Sequence, residues 1–147
     1  MYKLKIYFAG SIRAGREYLD NQRQIIKILK RFGYVLTEHF GIADVESTEY
    51  AQGKTDREIW LEDVTWIQES NVVVAEISTP SMGVGYEIGY AVSQGKKVLC
   101  LLNVNAAVKS SAMLSGSPDV TVQTYSTVAE AEAHIQKFLM EEIIPFA

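Results

Sequence analysis

Short apolar runs alternate along this chain with longer stretches of helical period. Leu4 to Ala9 predicts a first strand, ended by Gly10-Ser11. Arg13 to Phe32 predicts a helix whose buried stripe is Leu19, Ile25, Ile26, Ile28, Leu29 and Phe32, with Gly33 as the glycine just past its end. Tyr34 to Glu38 predicts a second strand. From His39 to Thr55 the pattern lapses into a loop with Gly41, Asp44, Ser47, Thr48 and Gly53. Thr55 is placed to cap a helix from about Asp56 to Glu69, with Glu58 three residues on as in a capping box. Val72, Val73, Val74, Ala75 and Ile77 form the apolar run of a strand buried on both faces. Thr79-Pro80-Ser81 breaks that run, Gly83 and Gly85 fall where the next helix opens, and Glu87 is expected in its first turn. Gly95 ends this helix and Val98 to Leu102 predicts a fourth strand. Residues 103–118 are irregular, with a short helix near Ser110 to Leu114. Val120 to Tyr125 predicts a fifth strand, and Thr127 caps a last helix with Val128, Ala131, Ile135, Phe138 and Leu139 on its apolar side.

Strands and helices therefore alternate throughout, without a repeat or linker that divides residues 1–147. Right-handed crossovers between five strands make a single three-layer α/β domain around a parallel sheet. The expected order is the flavodoxin/Rossmann-like 2-1-3-4-5. It sets the loops after strands one and three side by side at the switch point, where open parallel sheets bind ligands.

Composition narrows the partners. The chain has 147 residues, 48% hydrophobic and 22% charged, which are globular values. A net charge of −4 leaves no basic footprint for a nucleic-acid polymer. No apolar run is long enough to span a membrane, and Met-Tyr-Lys-Leu-Lys-Ile leads straight into a strand without a signal-peptide core. A soluble cytoplasmic protein is expected, with the nucleus also possible. The single cysteine, Cys100, sits inside an apolar run and reads as a small buried hydrophobe.

Candidate chemistry gathers at the two switch-point loops. Gly10-Ser11-Ile12-Arg13 and Ser81-Met82-Gly83-Val84-Gly85 each open onto a helix amino terminus, where free N–H groups favour an anion. Hydroxyls of Ser11 and Ser81 and the Arg13 guanidinium would complete a phosphate cradle; the alternative is two tight turns with Arg13 on the surface. Neither loop fits a common nucleotide fingerprint: the spacing of Gly83, Gly85 and Gly89 is one residue too long, and no G-K-[ST] occurs.

Two carboxyls stand in unusual places. Glu87 is either a charge stabilised by the helix dipole or a nucleophile toward an electrophilic sugar carbon. Asp63 falls in the arc of Ile59, Trp60, Val64, Trp66 and Ile67, while Glu58, Glu62 and Glu69 take the opposite side. An acid on an apolar face is either held by a buried hydrogen bond or raised in proton affinity, which suits a general acid. Two carboxyls in contrasting environments divide into nucleophile and acid, as in retaining glycoside cleavage. Tyr7 ends near the same site or is a satisfied core aromatic. His39 ends strand two ahead of the loop, structural or catalytic, and His134 reads as a surface residue. The histidines and the cysteine lack zinc spacing.

The segments I-Y-F-A-G-S-I-R, F-G-Y-V-L-T-E-H, D-V-T-W-I-Q-E-S-N-V-V-V-A-E-I-S-T-P-S-M-G-V-G-Y-E-I-G-Y-A and S-S-A-M resemble, in order from about residue 5 to 117, the 2′-deoxynucleoside 5′-monophosphate N-glycosidases. These belong to the nucleoside 2-deoxyribosyltransferase superfamily. The resemblance implies one such domain over 1–147, hydrolysing a nucleoside monophosphate to free base and 2-deoxyribose 5-phosphate. It implies Glu87 as the nucleophile that forms a covalent glycosyl intermediate, Asp63 as the group that protonates the base or activates water, and Tyr7 as the residue that orients Glu87. Ser11, Arg13, Ser81, Gly83 and Gly10 would hold the 5′-phosphate, and Ile12, Met113 and His39 would lie near base and sugar. A homodimer is implied, with Ser111 reaching the phosphate in the neighbouring subunit and Met113 packing near the base. No metal or organic cofactor is implied. The related first loop often reads C-G-S-I-R-G-G, where this chain has Ala9 and Ala14, so substrate preference is where the carry-over is weakest.

Three other functions compete. A transferase would pass the sugar to another base, a ribonucleotide hydrolase such as a cytidylate hydrolase would accept a 2′-hydroxyl, and a binding module would use the phosphate loops without turnover.

Overall fold

The computed structural model describes residues 4–11, 18–37 and 53–143. Five strands, β1 (Leu4–Gly10), β2 (Gly33–Val35), β3 (Val72–Glu76), β4 (Lys97–Asn103) and β5 (Val120–Tyr125), pair in parallel in the order β2-β1-β3-β4-β5. Around them lie α1 (Leu19–Phe32), α2 (Asp56–Glu69), α3 (Met82–Ser93), the short α4 (Ala112–Ser115) and α5 (Val128–Phe138), which continues into a π-helical turn at Leu139–Ile143. The three-layer α/β domain and the strand order match the expectation from sequence.

Alternation along the strands builds two cores. Ile6, Phe8, Val72, Val74, Leu99 and Leu101 point to one face and meet Ile25, Ile26 and Leu29 of α1 with Ala131, Ile135 and Phe138 of α5. Tyr7, Ala9, Val73, Ala75, Val98 and Cys100 point to the other and meet Ile67 of α2 with Val84, Ile88 and Ala91 of α3. Period two makes successive side chains face opposite ways, so a sheet covered twice needs apolar residues at every position. Each fully buried Ile or Phe contributes about 1.5–3 kcal/mol. Burial also pushes the Cys100 thiol up to about 12, so it stays protonated and unreactive.

The caps at Thr55 and Thr127 form as the sequence predicts, accepting the backbone N–H of Glu58 (3.1 Å) and Glu130 (3.2 Å). Gly95, just past α3, takes the positive φ of 76° that only glycine adopts cheaply. Gly33 is a different case. Its φ of −179° is ordinary extended backbone, and it is already the first residue of β2. What excludes a side chain there is the Leu4 carbonyl oxygen, 2.2 Å from where a Cβ would stand. The second strand is also shorter than Tyr34 to Glu38. After Val35 one more backbone bond forms, Leu36 N–H to Ile6 O (2.9 Å), and a side chain then finishes the pairing: the buried Thr37 hydroxyl donates to Phe8 O (2.7 Å) and accepts from Phe8 N–H (2.9 Å). The expected start of the first helix at Arg13, and Glu38, lie outside the described residues.

Candidate active site

The site is positioned by how α3 begins. Ser81 caps the helix, its Oγ accepting from the Val84 N–H at 3.2 Å. That cap fixes the helix start at Met82, so Gly83 and Gly85 lie inside the first turn rather than ahead of it. Glu87, expected in the first turn, stands in the second, and the first turn holds no acid. Dipole stabilisation fades beyond the first turn, so it is not the main hold on this carboxylate. A directed hydrogen bond is: Tyr7, fully buried on β1, donates its phenol O–H to Glu87 Oε2 at 2.8 Å. Bonds to a charged acceptor are the strong kind, worth about 1.5–3 kcal/mol.

Helix α2 supplies the second carboxyl. It seats Val64 and Ile67 against the sheet, and Asp63, just ahead of Val64, is half-buried. Asp63, Trp60, Val64 and Ile67 of α2 and Gly83, Tyr86 and Glu87 of α3 line one cavity of about 320 Å³. Trp66 packs on the apolar layer, but Trp60 is 42% exposed, so Asp63 lies at an aromatic rim and not among buried tryptophans. Glu58 and Glu69 face solvent, and Glu62 takes the Lys54 ammonium at 3.1 and 3.2 Å.

The loop residues divide over neighbouring spaces. A Cβ added to Gly83 would stand 3.7 Å from Ser81 Oγ and 4.0 Å from Glu87 Oε1, so a longer side chain there would push between them. Ser81 lines a different groove, of about 440 Å³, with Pro80, Gly85, Ser111 and Met113. Ser111 caps α4 by accepting from the Met113 N–H (3.2 Å), and Met113 is 83% exposed. Gly10 and Ser11 stand at the carboxyl end of β1, Gly10 in register with Glu76 of β3. A Cβ on Gly10 would come within 2.9 Å of the Gln22 side chain, whose Nε2 donates to Ser11 O at 3.4 Å. Ile12, Arg13 and His39 lie outside the described residues.

Sequence reasoning passed over two features. Tyr86 lies in the cavity wall, where its neighbour Glu87 drew all the attention. Glu76, at the end of β3 and 1% exposed, belongs to the opposite face of the sheet. Its carboxyl accepts from Ser78 N–H (2.8 Å), Ser78 Oγ (2.7 Å) and the Tyr125 hydroxyl. Asn103 N–H donates to Ser78 Oγ (2.8 Å) and Asn21 Nδ2 to the Tyr125 hydroxyl (3.2 Å), so one network ties β3, β4, β5 and α1. Burial raises the Glu76 pKa from its ordinary 4.5 against the lowering by these donors, and burial also drives the Tyr125 phenol upward.

An open parallel sheet with two carboxyls facing one cavity beyond its carboxyl edge defines an α/β protein with a small-molecule site. The sequence profile of the nucleoside 2-deoxyribosyltransferase family matches residues 6–137. This chain belongs to that family. It is 44% identical over 114 residues to the 5-hydroxymethyl-dUMP N-hydrolase of Rattus norvegicus, covering 78% of this chain and 70% of that one. It is 37% identical over 142 residues to the putative 2′-deoxynucleoside 5′-phosphate N-hydrolase 1 of Syntrophotalea carbinolica, covering 97% and 99%. Among solved structures, the Clostridium botulinum CMP N-glycosidase BcmB shares the fold at a TM-score of 0.64 and 19% identity, over 92% of this chain and 99% of that one.

Proposed function

We propose that this protein is a nucleotide N-glycosidase that hydrolyses 2′-deoxynucleoside 5′-monophosphates to free base and 2-deoxyribose 5-phosphate. The observation that carries this reading is the shared cavity of Asp63 and Glu87, with the Tyr7 hydroxyl on Glu87. The names of the relatives as N-hydrolases support the substrate class.

In this mechanism Glu87 attacks C1′ of the deoxyribose. The C1′–N bond breaks with its electron pair on the base, and Asp63 delivers the proton that neutralises the departing nitrogen. The resulting glycosyl ester is cleaved by water: Asp63 takes one proton, the hydroxyl joins C1′, and Glu87 leaves as carboxylate. Tyr7 holds one carboxylate oxygen so that the other faces the sugar. Ser11, Arg13, Ser81, Gly83 and Gly10 bind the 5′-phosphate, and Ile12, His39 and Met113 contact base and sugar. The active form is a homodimer in which Ser111 reaches the phosphate of the neighbouring subunit. The exposed Met82 and Met113 near the 440 Å³ groove supply apolar surface for that contact.

The test is a screen of deoxy- and ribonucleoside 5′-monophosphates, with and without a second free base, read for released base and exchanged product. Base release from deoxynucleotides alone is expected. Exchange without net release would make the chain a transferase, and release from ribonucleotides would move the substrate class. Absence of any turnover would leave a binding module.

A further inference from the structure

The wall of the 320 Å³ cavity carries two large aromatic side chains that the core does not need. Trp60 is 42% and Tyr86 57% exposed, although each has apolar area that burial would stabilise. They are not loose. Trp60 Nε1–H donates to the Tyr86 hydroxyl at 3.2 Å, bridging α2 and α3, and the Arg57 guanidinium lies over the indole, 5.5 Å from its centroid. Both rings line the same space as Asp63 and Glu87. Trp60 and Asp63 are three residues apart on α2, so they share one side of the helix, one turn from each other.

Taken with the role of Asp63 proposed above, this spacing has a consequence. A group protonated by Asp63 sits one helical turn from the indole, and the group so protonated is the nucleobase. We infer that Trp60, held by its hydrogen bond to Tyr86, is the stacking platform for the nucleobase and sets base preference through ring area. A flat heteroaromatic ring gains about 1–3 kcal/mol by stacking on such a side chain, whereas a sugar phosphate has no π-face to stack. The platform therefore favours the larger bicyclic purines over pyrimidines at the binding step. It also holds the leaving group in line with the acid that must reach it.

The experiment uses the Glu87→Ala protein, so that bound nucleotide is not consumed, and measures affinity calorimetrically for dGMP, dTMP and 2-deoxyribose 5-phosphate. Adding Trp60→Leu keeps an apolar helix former but removes the aromatic face. It is expected to weaken dGMP about five- to hundred-fold and dTMP less, with the sugar phosphate within about two-fold. Trp60→Phe restores a stacking face and keeps dGMP within about a few-fold of the parent. Equal losses for nucleotide and sugar phosphate, unchanged dGMP affinity, failure of the Phe variant to rescue, or a change of oligomeric state in Trp60→Leu would each overturn the platform. Failure of the glycosidase reading appears elsewhere, as base release that survives Glu87→Ala while the stacking effect persists.

Discussion

Two carboxyl sites lie near the carboxyl edge of the sheet, on opposite faces, and they are built to opposite rules. On the α1–α5 side, Glu76 is sealed from solvent, with three donors arranged on its two oxygens. On the α2–α3 side, Glu87 is half-buried, shares one oxygen with Tyr7, and faces a cavity across from Asp63. Burial alone does not mark a reactive acid. A carboxyl surrounded by protein donors has its lone pairs committed, and its donors would be stranded if it moved. A carboxyl that takes a buried hydroxyl on one oxygen and lines a space of ligand size is placed where a ligand can reach it. The first site braces strands, and the second is the one proposed to meet substrate.

That contrast breaks most visibly at Glu87. Glu87→Ala should lower base release about a thousand-fold or more, as loss of a nucleophile does, while the melting curve and nucleotide binding survive. Turnover within ten-fold of the parent would remove Glu87 from the chemistry. The mirror experiment is Glu76→Ala. Truncation strands the Ser78 and Tyr125 donors in a sealed site, so denaturant unfolding should show a loss of about 2–4 kcal/mol. Activity per folded molecule should fall far less than for Glu87→Ala; if both variants lose activity alike and neither loses stability, the division between bracing and reacting sites is wrong.

The fold was legible because period two and period 3.6 are local signals, and all five strands announce themselves within a few residues. The site was legible only in part. Asp63 drew notice by breaking an apolar helical face. Tyr7 was expected near the end of the first strand but stands in the middle of β1, and its long side chain is what reaches Glu87. Glu76 breaks an apolar run in the same way, and alternation from Val72 and Val74 puts it on the α1–α5 face. Its closing partner Tyr125 is 49 residues away and gives no local sign, so its meaning emerges only on folding. Gly33 was the right glycine with the wrong cause, since a clash with another strand cannot be read from its neighbours. Glu87 was placed one turn too early because glycines suggested the helix start, whereas the cap at Ser81 sets it.

A smaller effect is expected at Arg13, in the proposed phosphate cradle. Arg13→Ala should weaken a deoxynucleoside monophosphate about ten- to hundred-fold, the range for loss of a charge-assisted contact, with little change for the matching nucleoside. Equal losses for both ligands would mean that no phosphate cradle stands next to Glu87, and the open site would then be a nucleoside site.

The finest test concerns the closed site and uses pH. Burial raises the folded-state pKa of Glu76 above its ordinary 4.5, so between these two values the folded chain holds a proton that the unfolded chain has released. Stability falls with rising pH wherever the native state binds more protons. The contribution of Glu76 is therefore complete below about pH 4.5 and is lost as pH climbs through the raised value. Glu76→Gln keeps the shape of the protonated side chain and cannot titrate. Its stability relative to the parent should improve steadily as pH rises from 4.5 through that window, measured by urea unfolding at several pH values with other carboxylates common to both proteins. A difference that stays flat with pH, or that widens against the variant at higher pH, would mean that the donors from Ser78 and Tyr125 outweigh burial and hold Glu76 as a buried anion. The two carboxyl sites would then differ in access to ligand but not in charge.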